Sequence, residues 1–153
     1  MYTSDGSDPV LRGYSDADMA GDLTTQRSKT GYVFQVENNT VSWCSKQQGC
    51  VSKSTSEAEY IALNTACQEG IWLRRLLEDI YIKQHEPTVI FEDNQGAIQL
   101  SKNPKFNSRT KYIDVSYHHI CEQVSKKTVS VKYCVSNDML ADIMTEGTIK
   151  GSV

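Results

Sequence analysis

The chain has 153 residues, 39% hydrophobic and 23% charged, which suits one globular domain able to bury a core without disulfides or a structural metal. No apolar run approaches the ~18 residues of a membrane span, and the polar, acidic start from Met1 to Val10 is no signal peptide, so secretion is unsupported. Lys and Arg number 16 against 19 Asp and Glu, a net charge of −3. A protein that grips nucleic acid through phosphates alone is usually basic; either this chain does not bind one, or its acids hold cations that sit against the phosphates.

In chain order, Leu11–Asp16 reads as a short strand and Ala17–Ser28 as a polar loop. Thr30–Val36 alternates, with Tyr32, Phe34 and Val36 on one face. Asn38-Asn39 signals a turn, because Asn tolerates positive φ. Thr40–Ser45 returns with Val41 and Trp43 on one face, completing a three-strand meander. Ser54 and Glu57 have the spacing of a capping box, and the helix they open runs to about Cys67 or breaks near Gly70. Ile71–Ile80 continues as helix, with Leu73, Leu76, Leu77 and Ile80 as its apolar stripe.

Pro87 marks a boundary before Thr88–Glu92, a short apolar run with the pattern of a buried strand. Asp93 or Asn94 can cap the next helix, Gln95–Lys102. Asn103–Lys111 is a polar loop. Ile113, Tyr117, Ile120 or Cys121, and Val124 recur at helical spacing. Thr128–Cys134 alternates as a fifth strand, and Asp138 caps a last helix, Met139–Thr145. The order βββ, α, β, α, α, β, α predicts an α/β domain: a mixed five-stranded sheet, the meander plus two further strands, flanked by helices. The domain is expected over 11–146, with tails at 1–10 and 147–153.

The cysteines, Cys44, Cys50, Cys67, Cys121 and Cys134, are odd in number and contain no CxxC pair, so they read as reduced, mostly buried thiols. A zinc site from His118, His119 and Cys121 would match no common spacing. The bland reading of both histidines, packed or at the surface, is preferred.

Four acids stand out by position. Asp16 ends the first strand and Asp93 ends the buried strand Val89-Ile90-Phe91. Glu59 shares a helical stripe with Ala62, Leu63, Ala66, Gly70 and Leu73, so it points toward the packed side, whereas Glu57 lies with Asn64 and Gln68 toward water. Asp142 repeats the anomaly among Leu140, Ile143 and Met144. Single acids at strand ends are commonly turn or cap residues. Four in four elements are harder to dismiss, since a carboxylate on a packed face is costly unless paired or bound to a cation. Hard oxygen ligands suit magnesium or manganese, and two such ions can drive phosphodiester cleavage.

The ordered segments Gly13-Tyr14-Ser15-Asp16-Ala17-Asp18, Lys29-Thr30-Gly31-Tyr32-Val33-Phe34, Ser54-Thr55-Ser56-Glu57-Ala58-Glu59-Tyr60-Ile61-Ala62-Leu63, Trp72-Leu73-Arg74-Arg75-Leu76-Leu77, Asp93-Asn94-Gln95, Lys102-Asn103-Pro104, Ser108-Arg109-Thr110-Lys111 and Leu140-Ala141-Asp142-Ile143 carry a resemblance. In this order and spacing they resemble the ribonuclease H domain at the C-terminal end of copia-type LTR retrotransposon Pol polyproteins, over about residues 11–146. The resemblance implies the ribonuclease H fold, an Asp16, Glu59, Asp93, Asp142 site that is both catalytic and metal-binding, and two Mg2+ or Mn2+ ions. Asp18, Glu57 and Glu92 become solvated neighbours of that site.

By the same resemblance the enzyme cuts the RNA strand of an RNA/DNA hybrid during reverse transcription, beside the reverse transcriptase domain of its own polyprotein, in cytoplasmic virus-like particles and away from membranes. Gln95 matches a glutamine that reads the hybrid's minor groove. Ser54 and Thr55 fall where related enzymes hold groups near a DNA phosphate, a natural place for an anion. The segment with Lys102, Lys105, Arg109 and Lys111, interleaved with Phe106 and Tyr112, reads equally as a grip on the backbone or as a solvated loop.

Three departures stand beside it. Val135-Ser136-Asn137 carries no histidine before the last helix, as is usual in the copia type. Met19 and Tyr112 replace a common Trp and His, and Glu146 a common Lys. None removes a metal ligand. A DNA-cutting nuclease or transposase on the same fold is disfavoured by Glu59-Tyr60-Ile61-Ala62. The alternative is a catalytically weak or domesticated ribonuclease H-like nucleic-acid-binding module.

Overall fold

The computed structural model describes residues 9–18, 27–49, 51–52, 54–102, 119–135 and 138–141. Its strands are β1 (Leu11–Asp18), β2 (Lys29–Val36), β3 (Asn39–Gln47), β4 (Thr88–Glu92) and β5 (Val129–Tyr133). The described helices are α1 (Thr55–Asp79), α2 (Gln95–Lys102) and α3 (119–125). The sheet order is β3-β2-β1-β4-β5. β1, β2 and β3 pair antiparallel, while β4 pairs parallel with β1 and β5 parallel with β4. This is the expected mixed five-stranded sheet, with the meander at one edge.

The hairpin between β2 and β3 turns one residue earlier than Asn38-Asn39. Glu37 and Asn38 both take positive φ, 50° and 67°, and Val36 pairs with Asn39. A two-residue turn of this hand matches the strand twist and needs two positive φ values. Asn38 accepts that readily, and Glu37 is held there while its carboxylate accepts the Val10 N–H at 3.1 Å.

α1 is one helix of 25 residues, unbroken at Gly70. Gly70 has a packing role. Phe34, fully buried, lies between Gly13 of β1 and Gly70: a Cβ at Gly13 would come within 2.8 Å of Phe34 Cζ and one at Gly70 within 3.2 Å. The two glycines thus let the helix and the central strand close on one aromatic ring. Around it, Leu11, Tyr32, Tyr60, Leu63, Ile90 and Val131 belong to the main core.

The helix stripe divides differently from the expectation. Leu73 and Leu77 are buried, but Leu76 and Ile80 are exposed. Asn64, expected to face water, is buried because α3 covers it; its Oδ1 meets His119 Nδ1 at 3.0 Å. At the far end of α1, Arg74 donates to Glu86 O at 2.9 Å and to Thr88 Oγ1 at 2.8 Å. These bonds tie the helix to the start of β4 and set where that strand enters the sheet.

On the opposite sheet face Tyr14 and Phe91 stack with ring centroids 5.2 Å apart, packed against Cys134, Met139 and Ala141. Asp138 lies in a 3-10 turn, its N donating back to Val135 O at 2.9 Å, and 139–141 are irregular backbone and turn, not the start of an α-helix. The rest of the predicted last helix, the start of the helix at Ile113, residues 1–8 of the first tail and the whole of the last tail lie outside the described residues. Cys44, Cys67, Cys121 and Cys134 are free thiols, Cys67 and Cys134 buried. Among the described residues no helix is long and apolar enough to cross a membrane.

Candidate functional site

β1 and β4 run parallel and in register from Arg12 with Val89 to Ser15 with Glu92. Asp16 and Asp93 are the residues that follow that last pair, so parallel pairing delivers two carboxylates to one end of the sheet. Glu59 arrives from the first turns of α1. Ser54 caps this helix by accepting the Glu57 N–H at 3.1 Å, and Ala58 and Ala62 pack on Ala17 of β1. Methyl against methyl brings the helix close, and the close approach sets Glu59 over the strand end. Asp16, Glu59 and Asp93 each present a ligand atom within 4.8 Å of the others. Asp16 and Glu59 are buried, 7% and 4% exposed, and Asp93 is half-buried.

Such an approach of three acids is unfavourable unless positive charge or protons enter. At Glu59, burial, then Glu92 and Asp93, push the carboxyl up to about 10, against a hydrogen bond with Asp16 that pulls it down. Glu59 Oε2 is buried without a hydrogen-bond partner. An all-oxygen, anionic donor set with an orphaned buried oxygen fits a hard divalent cation. Among the described residues, this trio alone brings three or more such side chains into metal-binding geometry. Cys121 Sγ instead leans on the Leu100 and Ser101 carbonyls.

Asp142, Arg109 and Lys111, expected in the site, lie outside the described residues. Asp18 and Glu57 are partly exposed, as expected of neighbours. Glu92 is not: it is fully buried. Thr88, Ile90 and Glu92 alternate inward along β4, so the carboxyl points under α1 and meets Glu59. Its Oε1 accepts the Asn94 N–H at 3.1 Å, and its Oε2 has no partner. Burial, first of all, raises it well above the ordinary carboxylate range, while the contact with Glu59 and the Asn94 N–H act the other way. One proton shared between Glu59 and Glu92 reconciles two acids in one dry space. The two-residue period of a strand already places Glu92 with Ile90, and that was the signal available in the sequence.

The expected substrate contacts that fall within the described residues border this trio. Ser54 and Thr55 are exposed at the start of α1, and Gln95 is exposed at the start of α2. Asn94 caps α2, its Oδ1 accepting the Ala97 N–H at 2.8 Å. Ser56 reaches Asn94 at 3.3 Å. At Gly96 a Cβ would crowd Ser56 Oγ, which would have to turn away, so glycine lets the two helix starts touch as they stand. Two helix N-termini, each with a positive dipole end, therefore flank one acidic cluster.

No protein-family model matches the chain. It is 48% identical over 141 residues to the retrovirus-related Pol polyprotein from transposon TNT 1-94 of Nicotiana tabacum, covering 92% of this chain and 10% of that one. It is 38% identical over 146 residues to the Pol polyprotein from transposon RE1 of Arabidopsis thaliana, covering 95% and 10%. The chain thus spans about a tenth of the length of these curated relatives. Among solved structures, LC11-RNase H1 in complex with an RNA/DNA hybrid superposes with a TM-score of 0.63 at 14% identity, over 91% of this chain and 96% of that one. Prototype foamy virus protease-reverse transcriptase superposes with a TM-score of 0.61 at 14% identity, over 97% of this chain and 22% of that one.

Proposed function

Because the chain belongs to the retrovirus-related Pol polyproteins of transposons and carries the ribonuclease H fold, we propose that it hydrolyses the RNA strand of RNA/DNA hybrids during reverse transcription. The observation that carries this reading is the convergence of Asp16, Glu59 and Asp93 where β1 and β4 part.

In this reading those three side chains hold Mg2+ or Mn2+, two ions per site, with Asp142 as the fourth ligand. When bound, such ions supply Lewis-acid activation of water and charge neutralisation at the phosphate. As a ligand Glu59 would be a carboxylate, and Glu92, buried beside it, would limit its rotation. The dry alanine seam of Ala17, Ala58 and Ala62 keeps bulk water from that side of the cluster. Cations held here also answer the charge question, since an acidic protein then meets a polyanion through its ions.

Ser54 and Thr55 would donate to a backbone phosphate at the positive end of α1, and Gln95 would reach the minor groove, where the 2′-OH distinguishes RNA from DNA. Arg109 and Lys111 would hold backbone. The working partners are the hybrid and the reverse transcriptase domain of the same polyprotein, in cytoplasmic virus-like particles.

The test is magnesium-dependent cleavage of an end-labelled hybrid by the wild type, Asp93→Asn and an EDTA control. The reading expects cleavage by the wild type alone. A folded wild type that binds the hybrid without cutting it in either metal would favour a domesticated binding module.

A further inference from the structure

α1 meets β1 near the acid trio through Ala17, Ala58 and Ala62. Methyl groups permit close approach but lock nothing in direction, so a seam of alanines leaves the height of the helix along the strand poorly determined. Yet Glu59 must stand level with Asp16. A polar side chain supplies the missing direction. Gln48, one residue beyond β3, is only 4% exposed. Its Nε2 donates to Thr30 Oγ1 at 3.0 Å and to Ala58 O at 2.9 Å. Its Oε1 accepts from Ser52 Oγ at 3.2 Å, and its backbone N–H reaches Ser28 O at 2.8 Å.

Every donor of this buried amide is used. A buried amide costs stability unless satisfied, and an apolar side chain would fill the same space without that demand. The partners explain the choice. Ala58 immediately precedes Glu59. Thr30 pairs across the sheet with Ala17, which immediately follows Asp16. Two hydrogen bonds from one amide therefore join the residue before one acid to the strand partner of the residue after the other.

We propose that Gln48 is a positioning residue for the carboxylate trio, holding the first turn of α1 at the height that brings Glu59 to Asp16. The inference rests on the cation-binding reading above, because the spacing of the two acids matters only if they share ions. Contacts outside the ligand set typically carry about 10- to 100-fold in metal affinity or activity.

The experiment measures Mn2+ binding to the substrate-free protein by calorimetry, with thermal melts in EDTA and hybrid-cleavage kinetics alongside. Gln48→Met, of similar volume and without the amide, should weaken Mn2+ binding about tenfold. The metal concentration for half-maximal cleavage should rise in parallel, with KM for the hybrid little changed. Ser52→Ala leaves Gln48 in place but releases its carbonyl, and should give a smaller loss in the same direction. It also decides the matter if Gln48→Met does not fold. Variants that melt earlier yet bind Mn2+ within about twofold of the wild type would reduce Gln48 to a packing residue and overturn the inference alone. A folded wild type that binds no Mn2+ would overturn the cation-binding reading and this inference together.

Discussion

Raising the pH on the metal-free protein should destabilise it, against the trend of most carboxylate-rich proteins. Glu59 and Glu92 are both raised by burial, Glu59 to about 10. Between pH 6 and 8 the unfolded chain holds no proton on either side chain, while the folded chain holds at least one. Stability contributed this way is complete below the ordinary glutamate range near 4.3–4.5 and is lost as the pH climbs toward the folded value. One retained proton corresponds to about 1.4 kcal/mol per pH unit, so two units remove roughly 3 kcal/mol. In a domain of this size that is on the order of 6–10 °C in Tm.

Urea and thermal melts in EDTA at pH 6, 7 and 8 measure it directly. Glu92→Gln puts an amide beside Glu59 and removes one acid, and should reduce the slope by about half or more. Saturating Mn2+ should reverse the trend, because ligation expels the proton from Glu59 and so strengthens with pH. A wild-type slope that is flat or rising over this window would refute the shared-proton account.

Three further outcomes follow from the packing and the charges. Gly13→Ala should cost about 1–3 kcal/mol by crowding Phe34, and Gly70→Ala less, as its clearance is larger; urea titration compares them. Ser54→Ala removes the cap of α1 and should cost about 1 kcal/mol in the same assay. Asp93→Asn should weaken Mn2+ binding by more than about tenfold while raising Tm in EDTA, because one negative charge leaves the crowded acid cluster; calorimetry and melting test the two signs together.

Much of this was legible in the sequence because periodicity reports local burial. The alternation in Thr30–Val36 and the apolar run before Asp93 place their strands within a residue or two of the structure, and the stripe through Glu59 identifies a carboxylate turned inward. Three features were not so legible. Gly70 looks like a helix break, and only the distant Phe34 explains it. Leu76 lies beside the covered face of α1 and Ile80 beyond its end, while Leu73 and Leu77 are buried. Asn64 looks solvated until α3 is laid over it. Gln48 belongs to the same class: its partners come from β2, a loop and α1, and no local pattern joins them. Glu92 differs, since the alternation that buries Ile90 buries it as well.

The central claim is tested most directly by strand-resolved cleavage. One duplex is labelled on either the RNA or the DNA strand and incubated with magnesium, beside duplex DNA and single-stranded RNA. The account predicts cuts in the RNA strand of the hybrid alone, abolished by EDTA. Cuts in the DNA strand or in duplex DNA, or none in any substrate by a folded protein in magnesium or manganese, would contradict it.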